Sequence, residues 1–266
     1  MTTAVTPAPH PLRALARAEY LQFRRNKTLV WMGLFFPVGI SLATYFVVTR
    51  HQAPTTAIAA RTFELIILVA VLFVQYYSVL SMVTTRRGEG VLKRLRTGEA
   101  ADWQILTAPA VPGALLTLAS TLVVAAVVYG TGAPAPVNAL AIVLAVLGGI
   151  VVFTLLALAT SAVTKNAEAA QITSLPVMTV AMLGLASIRN ALPDRLADLA
   201  DWTPFAAISD LVHLGVSGTP AVGTADVALG FTDVFGELGR PFATLAIWTA
   251  LAFALTRTSF RWDDRG

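Results

Sequence analysis

The residues whose types and spacing could do chemistry are concentrated in one short stretch, Arg86 to Glu99, which reads RRGEGVLKRLRTGE. Arg86, Arg87, Lys93, Arg94 and Arg96 surround Glu89, and together they hold five of the chain's nineteen Lys and Arg. At helical spacing Val91, Leu92 and Leu95 share one face while Lys93, Arg94 and Arg96 spread over the rest. Gly88 and Gly90 loosen its start, and Gly98 can end it. Such a charge pattern suits docking against another macromolecule. It holds no nucleophile with a base beside it and no set of metal ligands.

Elsewhere, ionisable groups are few and scattered. Glu64 and Glu168 fall at the ends of apolar runs, positions that read as interfacial and solvated. His213 lies among scattered Asp but has no His or Cys at ligand spacing, so no metal site is expected. The three lysines, Lys27, Lys93 and Lys165, never follow a glycine, which excludes a P-loop. No H-E-x-x-H and no G-x-S-x-G occurs, so catalytic residues are expected to be absent. Spans without carboxylates or histidines at mid-depth also argue against ion-coupled transport, so any work must draw its energy from elsewhere.

The elements that would position the basic stretch follow from hydropathy. The 266 residues have a mean hydropathy of +0.71, with 56% hydrophobic and 13% charged. Soluble domains carry about 25% charged residues, so this composition is built for lipid. Cysteine is absent, which removes disulfide and thiol chemistry. The pI near 9.8 does not indicate nucleic acid, since the cations cluster beside apolar spans where topology and anionic lipid explain them. Arg outnumbers Lys sixteen to three, a usage that fits a high-GC bacterium.

In chain order, residues 1–11 read as a disordered Pro-rich tail. Residues 12–27 (LRALARAEYLQFRRNK) read as an amphipathic helix lying on the inner leaflet. Leu12, Ala16, Tyr20 and Phe23 form one face, and Arg13, Arg17 and Arg24 another, with Glu19 beside the apolar face as a flaw in the pattern. Residues 28–266 then carry six apolar runs, Thr28–Val48, Phe63–Val83, Ile105–Tyr129, Val137–Val163, Ala169–Ile188 and Pro241–Leu255, the last short for a span unless its flanks join it. The expectation is an all-α polytopic protein with six transmembrane helices and short external helices in the region 189–240. Leu192, Leu196 and Leu199 are at helical spacing there, and Pro204 can open a helix that dips back onto the bundle. Fourteen Lys and Arg fall on one side of this topology and five on the other, so both termini are expected to be cytoplasmic, in the plasma membrane.

Arg87 to Arg96 followed by Trp103-Gln104-Ile105-Leu106, together with Leu192-Pro193 and Trp202-Thr203-Pro204-Phe205, resembles the membrane subunit of a type-2 ATP-binding-cassette exporter, similar to actinobacterial drug and antibiotic-resistance permeases. One departure is Gly98 after Thr97, where that family commonly has Pro. The resemblance covers essentially the whole chain. It implies that the stretch 86–99 is a coupling helix, with Arg86, Arg87, Glu89, Gly90, Leu92, Lys93, Arg94, Leu95 and Arg96 as ATPase-coupling residues, Glu89, Lys93, Arg94 and Arg96 facing a separate ATPase and Leu92 and Leu95 anchoring the helix. Arg13, Arg17, Phe23 and Arg24 would belong to the interfacial helix. It further implies ATP and Mg bound only by that ATPase, no cofactor in this chain, and a second permease copy, identical or paralogous. An amphipathic substrate would pass between the copies where Gly148, Gly149 and Ala157 allow close approach. Two other readings stay open: a non-transporting membrane partner that recruits an ATPase, and a membrane-embedded lipid-modifying enzyme. For the basic stretch alone, a bare topology signal is also open.

Overall fold

The computed structural model describes residues 15, 17–21, 25, 27–98, 100–223 and 227–262; the tail 1–11, Arg13, Phe23, Arg24 and Glu99 lie outside them. Among the described residues every regular element is a helix and there is no strand. Helix α1 (Lys27–Thr49) carries Pro37 in its interior, and Ser41 donates to the Pro37 carbonyl. Its Trp31, Phe35, Phe36, Phe46 and Val47 are exposed, while Tyr45 points into the protein.

The second helical run is a 33-residue rod, Thr56–Gly88, made of α2 (Thr56–Val69), a π-helical segment (Ala70–Tyr77) and α3 (Ser78–Gly88). At 1.5 Å per residue it is about 50 Å long, so both ends project beyond a hydrocarbon layer of about 30 Å. It is the most buried of the long helices and forms the central pillar. The π segment places Gln75 wholly inside, where its Nε2 donates to Thr154 Oγ1 (2.6 Å) and to the Ala110 carbonyl (3.3 Å). We call the end carrying residues 86–99 the inner end.

After the rod come α4 (Val91–Arg96), α5 (Asp102–Thr107), α6 (Ala110–Gly130) and α7 (Ala139–Ser161). The third apolar run is therefore broken at Ala108–Pro109 and does not run whole from Ile105, because Pro109 lacks the N–H that would continue α5. The fifth run is likewise divided, into α8 (Ala169–Thr173), α9 (Leu175–Leu183) and α10 (Ala186–Arg189); Pro176 opens α9, where its missing N–H costs nothing. Helices α11 (Asp194–Ala200), α12 (Pro204–Ser217), α13 (Val234–Glu237) and α14 (Gly239–Ser259) follow. Among the described residues, three helices are long and apolar enough to cross a membrane: Thr56–Gly88, Ala110–Gly130 and Ala139–Ser161.

Helix α12 is the element that departs most from an ordinary loop. Thr203 caps it by accepting from the Ala206 N–H, Pro204 occupies its first turn, and Gly218 at φ +67° ends it. Of its fourteen residues every one but Asp210 is buried. It packs antiparallel to α7: Gly215 lies against Asn138 and Ile142 at the outer end, and Ile208 reaches Gly149 and Val71 half-way along α7. By contrast α11 leaves Leu196 and Leu199 exposed. Gly148 and Gly149 accommodate Leu245 and Ile208, and Ala157 is wholly buried, so these small residues serve packing within the chain.

The turn into α10 depends on a close backbone approach. A Cβ at Gly184 would collide with the Ala206 amide nitrogen and lie 2.7 Å from Thr203 Oγ1. The G184A variant is expected to lose about 1–3 kcal/mol of stability. G236A, where a Cβ meets nothing within 4 Å, should unfold with the wild type when both are melted in detergent.

Candidate functional site: an inner docking surface and its anchors

Residues 86–98 form a compact knuckle at the inner end of the central rod. Glu89 N–H donates to the Thr85 carbonyl and Gly90 N–H to that of Arg87, closing α3. Gly90 then adopts φ +67°, a left-handed conformation that glycine takes without strain, and the chain doubles back into α4. Leu92 is buried at 1% exposure, with Val91 and Leu95 half-buried. Glu89, Lys93, Arg94 and Arg96 are exposed. Arg94 also donates to the Glu89 carbonyl, and Arg96 pairs with Asp102 at 3.3 Å across exposed surface.

The first two cations of the stretch are placed otherwise. Arg87 is buried, donating to the carbonyls of Ser161 (2.7 Å) and Thr164 at the C-terminal end of α7. The Ser161 carbonyl, the last of α7, also accepts from the Thr164 N–H, and the guanidinium sits at the negative end of the helix dipole. Arg86 forms a two-pronged ion pair with Glu19, which is itself buried. Glu19, which looks like a flaw in the amphipathic pattern, is thus the residue that pins the N-terminal segment to the rod. Of the interfacial-helix residues, Arg17 is exposed, while Arg13, Phe23 and Arg24 lie outside the described residues.

A second polar assembly lies towards the outer end, and sequence reasoning missed it. Glu64 is 4% exposed, not solvated. Its Oε1 accepts from the Ala186 N–H (2.7 Å) and the Ser209 hydroxyl, and His213 Nε2 stands 3.5 Å from its Oε2. Alongside, Arg189 at 2% exposure donates to Asp201 (2.8 Å), Asp210 (2.6 Å) and Ser209 (3.3 Å). Asp201 also accepts from Arg240, whose guanidinium stacks over Trp202, and Trp248 donates to the Trp202 carbonyl. These contacts tie α2, α10, α12 and α14 together. The partners of Glu64 are 122 to 149 residues away, so no local spacing signals them. A carboxylate beside Ile66 and Ile67 in an apolar run is the one hint the sequence offers. Among the described residues no cluster of His, Asp and Glu could hold a metal ion.

The inner assembly presents charges on a buried apolar anchor, and the outer one holds helices in register. A family model described as ABC-2 type transporter matches residues 10–209, about three-quarters of the chain. No curated protein matches the sequence.

Because Arg189 is enclosed by two carboxylates, its loss strands buried charge. R189M is expected to cost about 3–5 kcal/mol, whereas R240M, at a 52% exposed side chain, should cost no more than about 1 kcal/mol. Thermal unfolding of the two variants in the same detergent checks the ordering.

Proposed function

Given that the chain belongs to the ABC-2 type transporter family, as the membrane permease component of a transporter, we propose that it exports an amphipathic substrate (a drug, antibiotic or lipid-like molecule) using ATP and Mg bound by a separate ATPase. Members of this family generally pair with such a subunit and form dimers. In our reading two permease copies, identical or paralogous, sit in a bacterial plasma membrane, each crossing it six times with both termini inside. The crossings would be α1, the rod Thr56–Gly88, α6, α7, the run Ala169–Leu183 and α14.

The observation that carries the coupling assignment is the split character of α4: Leu92 is sealed into the core while Glu89, Lys93, Arg94 and Arg96 stand outside it. A bare topology signal needs only the charges; an anchored apolar face is what a lever needs. Force on the knuckle would pass along α3 and, through Arg87, to the end of α7. Within this scheme Arg86 and Arg87 act inward, as braces, and the exposed four meet the ATPase. The π segment with Gln75 gives the rod a natural pivot, since π-helical turns interrupt the regular hydrogen-bond ladder and occur often at functional sites. Rim charges of this kind mainly fix partner and register.

Co-purification with a co-expressed ABC ATPase subunit from the same organism tests this reading. The E89A/K93A/R94A/R96A variant should retain the ATPase at least about tenfold less well than wild type, consistent with the loss of several charged contacts, while R50A should match wild type. Equal capture by the quadruple variant would sink the coupling assignment.

A further inference from the structure

The inner ends of α7 and α14 lie side by side, joined where Thr256 donates to the Leu155 carbonyl. Between those two ends and α4 opens a cavity of about 880 Å³. Its polar wall is made by Lys93 and Arg96 from the coupling helix, by Arg261 after α14, and by the hydroxyl-bearing Thr258 and Ser259. Its apolar wall is Ala162 and Val163, the latter 72% exposed. No carboxylate lines it among the described residues. Arg96 is held in place from two sides, by Asp102 and by the Trp262 ring, over which its guanidinium lies at 4.7 Å from the centroid. Phe260 packs edge-on against Trp262 at 5.1 Å and fixes that ring in turn. Lys93 and Arg261 have no carboxylate partner among the described residues.

This combination has a specific chemical complement. Three cations and two hydroxyls suit a phosphate ester, through charge-assisted hydrogen bonds. The cavity is much larger than a lone phosphate ion needs and lies within the range of sites for whole organic ligands. It sits where two helices of the bundle end on the side expected to face the cytoplasm, with an exposed apolar wall beside the cations. Headgroup phosphates lie at that level, above acyl chains that such a wall can cover. We propose that the cavity binds the phosphate of an anionic phospholipid from the cytoplasmic leaflet, linking the coupling helix to the carboxyl-terminal segment. The proposal rests on the membrane topology given above. The family match ends at residue 209, so the Thr258–Trp262 side of the site lies beyond it.

Native mass spectrometry of the full chain in neutral detergent, with dioctanoyl phosphatidylglycerol, dioctanoyl phosphatidylcholine or inorganic phosphate added, tests it. Wild type should bind one phosphatidylglycerol about 30-fold more tightly than K93Q/R261Q does, since each surface cation contributes about a factor of five. Phosphatidylcholine should bind wild type only at the level of that variant, and R50Q, altered at the opposite face, should behave as wild type. Equal binding of phosphatidylglycerol by wild type and K93Q/R261Q would overturn the proposal, as would equal binding of the two lipids. Inorganic phosphate that binds as tightly as phosphatidylglycerol would replace the lipid with a free phosphate. Binding seen only in a D263N/D264N chain would overturn it too, because the carboxylates that follow in the sequence would then occupy the cations. No ATPase is present in this assay, so its failure leaves the permease reading standing, and failed ATPase capture leaves this site standing.

Discussion

Inside a bilayer no water completes the hydrogen bonds of a buried polar group, so each such group must find its partner in the protein. The architecture of this chain can be followed from one such partnership to the next. Arg87 bridges the carbonyls of Ser161, which ends α7, and of Thr164 just after it. Gln75 ties the π segment to α6 and α7 in the middle of the bundle. Tyr45 joins α1 to the outer end of α6 through Thr131 at 2.7 Å. Glu64 satisfies the backbone where the chain turns from α9 into α10. Apolar packing alone gives little orientation between helices in lipid, because lipid tails are as apolar as leucine; these bonds and the close approaches at small residues supply it.

The same logic accounts for the division of labour among the six charged residues from Arg86 to Arg96. Those at the end of α3 are consumed by the fold, Arg86 on Glu19 and Arg87 on α7, and they make the knuckle a stiff extension of the rod. Those on α4 remain outside, backed by Leu92. A docking surface has to be rigid to transmit a displacement, and its polar rim has to be free to recognise a partner. Neighbouring residues in the sequence meet these two needs by pointing in opposite directions. Arg96 stands between the two sets, exposed yet steadied by Asp102 and Trp262.

At the outer end, α12 poses the opposite problem. It begins half-way down the bundle, so its first N–H groups start among apolar side chains. Thr203 satisfies one of them, Pro204 removes another, and Ser209 and Asp210 are met by Glu64 and Arg189. Arg189 is matched by Asp201 and Asp210, and Asp201 in turn by the exposed Arg240, so the four charges balance while binding three helices that the chain visits at different times.

Composition and local periodicity determined much of this protein unaided: a helical membrane chain, apolar segments that overlap the observed helices, a basic amphipathic helix after the second, and a short helix opened by Pro204. Those features are written in runs and spacings a few residues long, and lipid as a solvent leaves them few alternatives. The apolar face of that helix was legible for the same reason, and Leu92 on it is buried. What sequence could not decide is which charged residues the fold consumes. Glu19 read as a blemish, Glu64 as a solvated end and Arg87 as one more rim cation, yet each is buried against a partner on another helix. The break at Pro109 is different, being written locally in a residue that lacks the N–H α5 would need. Whether a charge is buried depends on what the tertiary fold brings against it from some seventy to one hundred and fifty residues away, and local pattern carries no record of that meeting.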